Sequence, residues 1–184
     1  MSVGTDNPGN NLVLIGFMGA GKTSLGKAAA KILQVPFLDT DDLIVQSEGM
    51  SINEIFARRG EEYFRSLETE TVRQLEHRKG GYVLSVGGGL PLRPENRPLL
   101  RKAGLVVYLK VGIETLTRRL SKDTKRPLLH KGEGTLEEKI VRILTSREPH
   151  YLDAADVVYV NDGKAFRTAA AEIASLVNRH SAEG

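Results

Sequence analysis

The stretch GFMGAGKT, residues 16–23, puts three glycines, a lysine and a hydroxyl directly behind the apolar run NLVLI. Glycines let successive backbone N–H groups point into one concavity, and a following helix adds the positive end of its dipole. That is a site for a phosphate group. In the spacing G-x-x-x-x-G-K-[ST], Lys22 reaches β- and γ-phosphates and the Thr23 hydroxyl joins a Mg²⁺ shell. Gly19, Ala20, Gly21, Lys22, Thr23 and Ser24 therefore form the candidate nucleotide-binding run. A glycine-rich turn ending in Lys-Thr by chance is the bland alternative; a strand before and a helix after argue against it.

The residues for a second substrate lie further along. PFLDTDD places Asp39, Asp41 and Asp42 at the end of another apolar run. In extended backbone the first two carboxylates share a face. Asp39 then holds Mg²⁺ through water, and Asp41 accepts a hydrogen bond from a hydroxyl acceptor. The competing role is helix capping by Asp41 or Asp42. VLSVGGGLP ends in Gly87, Gly88 and Gly89, leaving no side chains where a ligand should lie; a tight bend is the alternative. Arg65 precedes Glu68 by one helical turn, which could orient it. Arg147 closes a helix before EPHY, where a cation that only complements the helix dipole is the other reading. Arg126, in TKRPLL, belongs to an aperiodic segment over 121–134 with the character of a mobile lid. Histidines 77, 130, 150 and 180 have no metal-ligand spacing.

These groups need a scaffold. Short apolar runs predict strands over 12–15, 36–38, 82–86, 105–109 and 157–160. Helical periodicity covers 22–33, 51–78, 95–102, 113–120, 135–147 and 165–178. SINE, residues 51–54, has the form of a capping box, and Gly60 should split the long helix. Alternation of this kind implies an α/β fold with a parallel sheet between helices, which binds ligands at the carboxyl ends of its strands.

Composition narrows the function. With 184 residues, one domain over 11–184 is expected, preceded by a flexible tail over 1–10 that lacks the features of a signal peptide. A net charge of +3 is too small to argue for nucleic acid, and no apolar run is long enough for a membrane span. The absence of cysteine excludes disulfides and fits a cytoplasmic protein. No D-x-x-G or N-K-x-D follows the phosphate loop, which argues against a GTPase. The glutamate that ends a long apolar strand in ATP-driven motors is missing as well.

In order along the chain, GFMGAGKT, FLDTD, IFARRGEEYFR, SVGGG, KRPLL and SREPHY resemble the shikimate kinases. The resemblance spans nearly the whole chain. It implies a three-layer P-loop kinase fold with a five-stranded parallel sheet of order 2-3-1-4-5. It also implies a substrate-binding helical segment over about 40–70 and a lid over 121–134. The implied reaction moves the γ-phosphate of ATP to the 3-hydroxyl of shikimate with Mg²⁺. By the same resemblance Lys22, Asp41 and Arg126 serve catalysis, and Thr23 and Asp39 the metal. Asp41, Arg65, Arg147 and the Gly87–Gly89 backbone would bind shikimate, with Phe56 and Phe64 walling its ring. Arg126 would reach the phosphates, Arg119 would flank the adenine, and Lys164 falls near the nucleotide. A proline-containing adenine loop is common among relatives, whereas this chain reads VNDGKAF. ATP and shikimate would be the partners of a monomer. Two other readings stay open: a gluconate kinase of the same fold, and a nucleotide-binding regulator without turnover.

Overall fold

Strand β1 (Leu12–Ile15) is buried along its whole length, as an apolar run without polar interruption must be if both sheet faces are covered. The computed structural model describes residues 11–76, 78–122 and 133–183. Around β1 stand β2 (Phe37–Asp39), β3 (Val83–Ser85), β4 (Leu105–Lys110) and β5 (Val157–Val160). All pairings are parallel, in the order β2-β3-β1-β4-β5. Connections leave β1 and β3 in opposite directions, which opens a crevice between the carboxyl ends of those two strands.

Helix α1 (Lys22–Leu33) buries Leu25, Gly26, Ala29 and Ala30 and packs with α7 (Phe166–Glu183) on one face. On the other lie α4 (Asn96–Ala103) and α6 (Leu136–Ala154), which also packs on α5 (Ile113–Leu120). Tyr108 of β4 and Tyr151 of α6 meet there at 5.3 Å between ring centroids. Two further helices, α2 (Thr40–Glu48) and α3 (Ile52–Leu75), have a core of their own, in which Ile44, Ile55 and Phe64 are buried together. Among the described residues no helix is long and apolar enough to cross a membrane.

Most elements fall within a residue or two of expectation. Ser51 and Glu54 close the expected capping box, and Gly60 (φ 84°, ψ 172°) kinks α3. Helix α2 is not in the periodicity reading, because its apolar residues are few and a glycine ends it after nine positions. The helix expected to stop at Arg147 continues through Pro149 to Ala154. Proline removes one backbone donor there, but complete burial of Tyr151 and Ala154 outweighs that loss. Residues 1–10, 184 and most of the expected lid (123–132, with Arg126) lie outside the described residues.

Candidate active site

The phosphate loop follows β1 directly. Gly19 (φ 78°) and Gly21 (φ 96°) take left-handed conformations that a side chain would strain. The turn ends on Lys22, first residue of α1, whose Nζ donates to the carbonyls of Gly16 (2.8 Å) and Phe17 (3.1 Å). Arg119, from α5, donates to the carbonyls of Gly19 (3.0 Å) and Ala20 (3.3 Å). Both cations thus draw the loop's carbonyls toward themselves. The first backbone N–H groups of α1 have no partner within the helix and can serve an anion. A cavity of about 540 Å³ opens over this loop and reaches from Asp39 and Asp41 across Gly87 and Gly88 to Asn161, Lys164 and Phe166.

Asp39 and Asp41 both line the cavity, though not by the expected extended geometry. Asp39 ends β2 and is itself the N-cap of α2, so neither Asp41 nor Asp42 caps that helix. Its Oδ1 accepts from the Asp41 N–H at 3.0 Å, and its Oδ2 faces the Thr23 hydroxyl at 3.4 Å. That pair of hard oxygens beside a phosphate cradle fits a Mg²⁺ ion that keeps several waters. Asp41 sits in the first turn of α2. Burial pushes its carboxyl above the ordinary aspartate value, the charge of Asp39 pushes the same way, and Lys22 opposes both.

The glycine triplet is where the remaining groups converge. Built onto Gly87, a Cβ would lie 2.8 Å from Glu68 Oε1 and 3.2 Å from Asp41 Oδ1. On Gly88 it would meet the Tyr151 hydroxyl at 3.5 Å and Arg147 Nη1 at 3.8 Å. On Gly89 it would lie 2.4 Å from Arg65 Nη1. Three consecutive residues without side chains therefore hold two carboxylates and two guanidiniums around one short backbone segment. The segment is fixed from both sides. Gly87 N–H donates to the Thr40 hydroxyl at 3.0 Å, and the Tyr151 hydroxyl donates to the Gly88 carbonyl at 2.7 Å.

Arg65 is oriented as its spacing predicts. Its Nη1 donates to Glu68 at 2.7 Å and its Nη2 to Glu61 at 3.0 Å. Glu68 is only 1% exposed, and burial raises its carboxyl although Arg65 pulls it down. Burial is the largest influence on Arg65 and disfavours the cation, but the charges and hydrogen bonds of Glu68 and Glu61 together outweigh it and hold the guanidinium protonated. Arg147 lies within α6, not at its end, so the reading as a C-terminal cation is set aside. Burial raises the Tyr151 hydroxyl's pKa and keeps it protonated, against the nearby Arg147 charge that lowers it.

The aromatic pair stands behind Arg65. Phe64 is buried, Phe56 is half-exposed, and their centroids lie 4.8 Å apart, with the Arg65 guanidinium 5.4 Å from the Phe64 ring. Neither ring borders the cavity over the phosphate loop. Lys164 does border it, while pairing with Glu172 at 2.5 Å and lying 4.6 Å from the Tyr159 ring. Phe166 is on the same wall; the sequence reading reaches it only as the end of VNDGKAF, in place of the adenine loop of relatives, and assigns it no role. Arg126 and most of the lid lie outside the described residues.

The family model described as shikimate kinase matches residues 18–178. A shikimate kinase of Geobacter sulfurreducens is 47% identical over 98% of this chain and 96% of its own. A solved shikimate kinase from Acinetobacter baumannii, in complex with shikimate, superposes with a TM-score of 0.82 at 36% identity, over 92% of this chain and 93% of that one. A gluconokinase from Sinorhizobium meliloti shares the fold alone, with 18% identity and a TM-score of 0.52 over 95% of this chain and 98% of that one.

Proposed function

Because this chain belongs to the shikimate kinase family, we propose that it transfers the γ-phosphate of ATP to the 3-hydroxyl of shikimate. The product is shikimate 3-phosphate, on the route to chorismate and the aromatic amino acids. One observation carries this reading: Arg65 and Arg147 both converge on Gly87–Gly89, on the same short segment that Asp41 borders. Two guanidiniums suit a carboxylate, and an acceptor carboxylate suits a hydroxyl. Shikimate carries both groups on one ring.

The phosphates of ATP lie in the loop from Gly19 to Ser24, with Lys22 leaving its carbonyl partners for the β- and γ-phosphate oxygens. Arg119 and Lys164 serve the nucleotide from the opposite wall. The Thr23 hydroxyl and Asp39 would hold Mg²⁺, which would supply neutralisation of the phosphate charge. Arg65 and Arg147 fix the shikimate carboxylate, helped by the Gly87–Gly89 backbone, and Phe56 with Phe64 walls the ring. Asp41 accepts the hydrogen bond of the 3-hydroxyl. Its raised basicity suits it to take the proton as the new O–P bond forms and the bond to the ADP oxygen breaks. Arg126, on the lid over 121–134, stabilises the transferring group. Residues 11–184 act as one kinase domain, with the substrate segment at 40–70. The enzyme works as a cytoplasmic monomer, without nucleic acid or membrane partners.

The test is ADP release from Mg-ATP in the presence of shikimate, gluconate or no acceptor. Release with shikimate alone is expected. Equal or faster release with gluconate would move the assignment to a gluconate kinase. Nucleotide binding without release under any acceptor would favour a regulator.

A further inference from the structure

Residues Gly87 to Leu90 form a tight turn, closed by the Leu90 N–H donating to the Gly87 carbonyl at 3.0 Å. Gly89, its third residue, has φ −91° and ψ −17°, the values of a type I turn. A type II turn has the same ends but the opposite central peptide, and it asks for positive φ at the third position. With glycine at both central positions neither form is sterically penalised, so the sequence alone leaves the Gly88–Gly89 peptide free to flip.

Tyr151 decides which way it faces. The side chain is fully buried on α6, and its hydroxyl donates to the Gly88 carbonyl at 2.7 Å. No peptide bond among the described residues is cis, so the Gly89 N–H points opposite to that carbonyl, away from Tyr151. Holding the one aims the other. Neighbouring peptides have their own supports, Gly87 N–H on the Thr40 hydroxyl and the Gly87 carbonyl on Leu90. The same tyrosine ties the turn to the phosphate loop. Its ring packs on Tyr108 with centroids 5.3 Å apart, and Tyr108 would lie 3.5 Å from a Cβ on Gly16. Packing alone does not call for the hydroxyl, since phenylalanine would fill the same place.

We propose that Tyr151 is a positioning residue of the acceptor site: its hydroxyl locks the central peptide of the Gly87–Leu90 turn so that N–H, and not C=O, faces the acceptor carboxylate. The inference deepens the acceptor reading above and rests on it. A backbone N–H to a carboxylate is a charge-assisted hydrogen bond, whereas a flipped carbonyl would set oxygen against oxygen.

The experiment compares Tyr151→Phe with Tyr82→Phe, a matched control. Tyr82 is as deeply buried and its hydroxyl also donates to a backbone carbonyl, that of Ala103 at 2.9 Å, but it stands before β3 whereas the glycines follow it. Calorimetry reads shikimate and ADP binding, and a thermal melt reads the fold. Tyr151→Phe should weaken shikimate about tenfold and ADP by less than twofold. Tyr82→Phe should lower the melting temperature by a similar amount and leave both affinities within twofold. An acceptor with a primary alcohol in place of the carboxylate should show the same kcat/KM in the wild type and Tyr151→Phe. Wild-type shikimate affinity in folded Tyr151→Phe would overturn the proposal, as would an equal loss in Tyr82→Phe or a tenfold drop with the alcohol acceptor. An unfolded Tyr151→Phe beside a folded Tyr82→Phe would overturn it too, because the hydroxyl would then serve the fold. Failure of the wild type itself to bind shikimate is a different result, and it would overturn the acceptor reading together with this proposal.

Discussion

Gly89→Ala separates positioning from folding. The backbone at Gly89 (φ −91°, ψ −17°) suits any residue, so the substitution introduces no conformational strain. Its new Cβ would lie 2.4 Å from Arg65 Nη1, 2.8 Å from Cζ and 3.0 Å from Nη2, where ordinary contact begins near 3.4 Å. The guanidinium must therefore retreat by about 1 Å. As the far end of a flexible side chain it can do so, and the stability cost should stay below about 1 kcal/mol. Retreat by that distance breaks the geometry of the 2.7 Å bond to Glu68 and turns the fork away from its ligand. A charge-assisted hydrogen bond contributes about 1.5–3 kcal/mol. The shikimate KM should consequently rise between about tenfold and a hundredfold. Steady-state kinetics with each substrate varied, beside a thermal melt, reads the split: KM for shikimate up, KM for ATP within twofold, melting temperature nearly unchanged. Gly49→Ala is the control, with nothing within 4 Å of its Cβ but a φ of 65°; it should lose about 1 kcal/mol of stability and no affinity. A wild-type shikimate KM in folded Gly89→Ala would refute the placement of Arg65 beside the acceptor.

Lys22→Met should cut kcat by about a hundredfold or more in a folded protein, as loss of a transition-state charge contact does; a rapid-quench turnover measurement checks it. Arg65→Lys and Arg147→Lys keep charge but lose the planar fork, and each should raise the shikimate KM about tenfold while an acceptor lacking the carboxylate is unaffected. Asp41→Asn should abolish most turnover yet raise the melting temperature at neutral pH. The sign follows from its raised folded pKa: the stabilisation is fully present below 3.8 and lost as pH rises through the folded value, so ionised Asp41 destabilises the free enzyme at pH 7. By the same shift, the acid limb of kcat/KM should fall above the ordinary aspartate pKa of 3.8, and a limb at or below it would contradict Asp41 as proton acceptor.

The parts of this site legible in the sequence are those whose chemistry is written in local spacing. The phosphate loop is contiguous, the Arg65–Glu68 pair is one helical turn, and Ser51 with Glu54 is a local cap. Asp39 and Asp41 were legible as a pair but not in geometry, because strand end and helix start share residues and only the fold decides which one caps. Arg147 was less legible still. Local rules end its helix before Pro149, and it is the burial of Tyr151 and its bond to Gly88, 63 residues away, that carries the helix on. Phe166 illustrates the limit from the other side. VNDGKAF marks the segment in the sequence, but that the ring stays exposed and outside both buried cores is visible only in the fold.

The most direct test of the proposed reaction is the product itself. Incubation with Mg-ATP and shikimate, followed by proton–phosphorus correlation NMR of the separated product, shows which carbon bears the phosphate. Coupling to the single proton on carbon 3 is the expected result. Phosphate on another hydroxyl, or inorganic phosphate released without a phosphorylated acceptor, would contradict the placement of the 3-hydroxyl against Asp41.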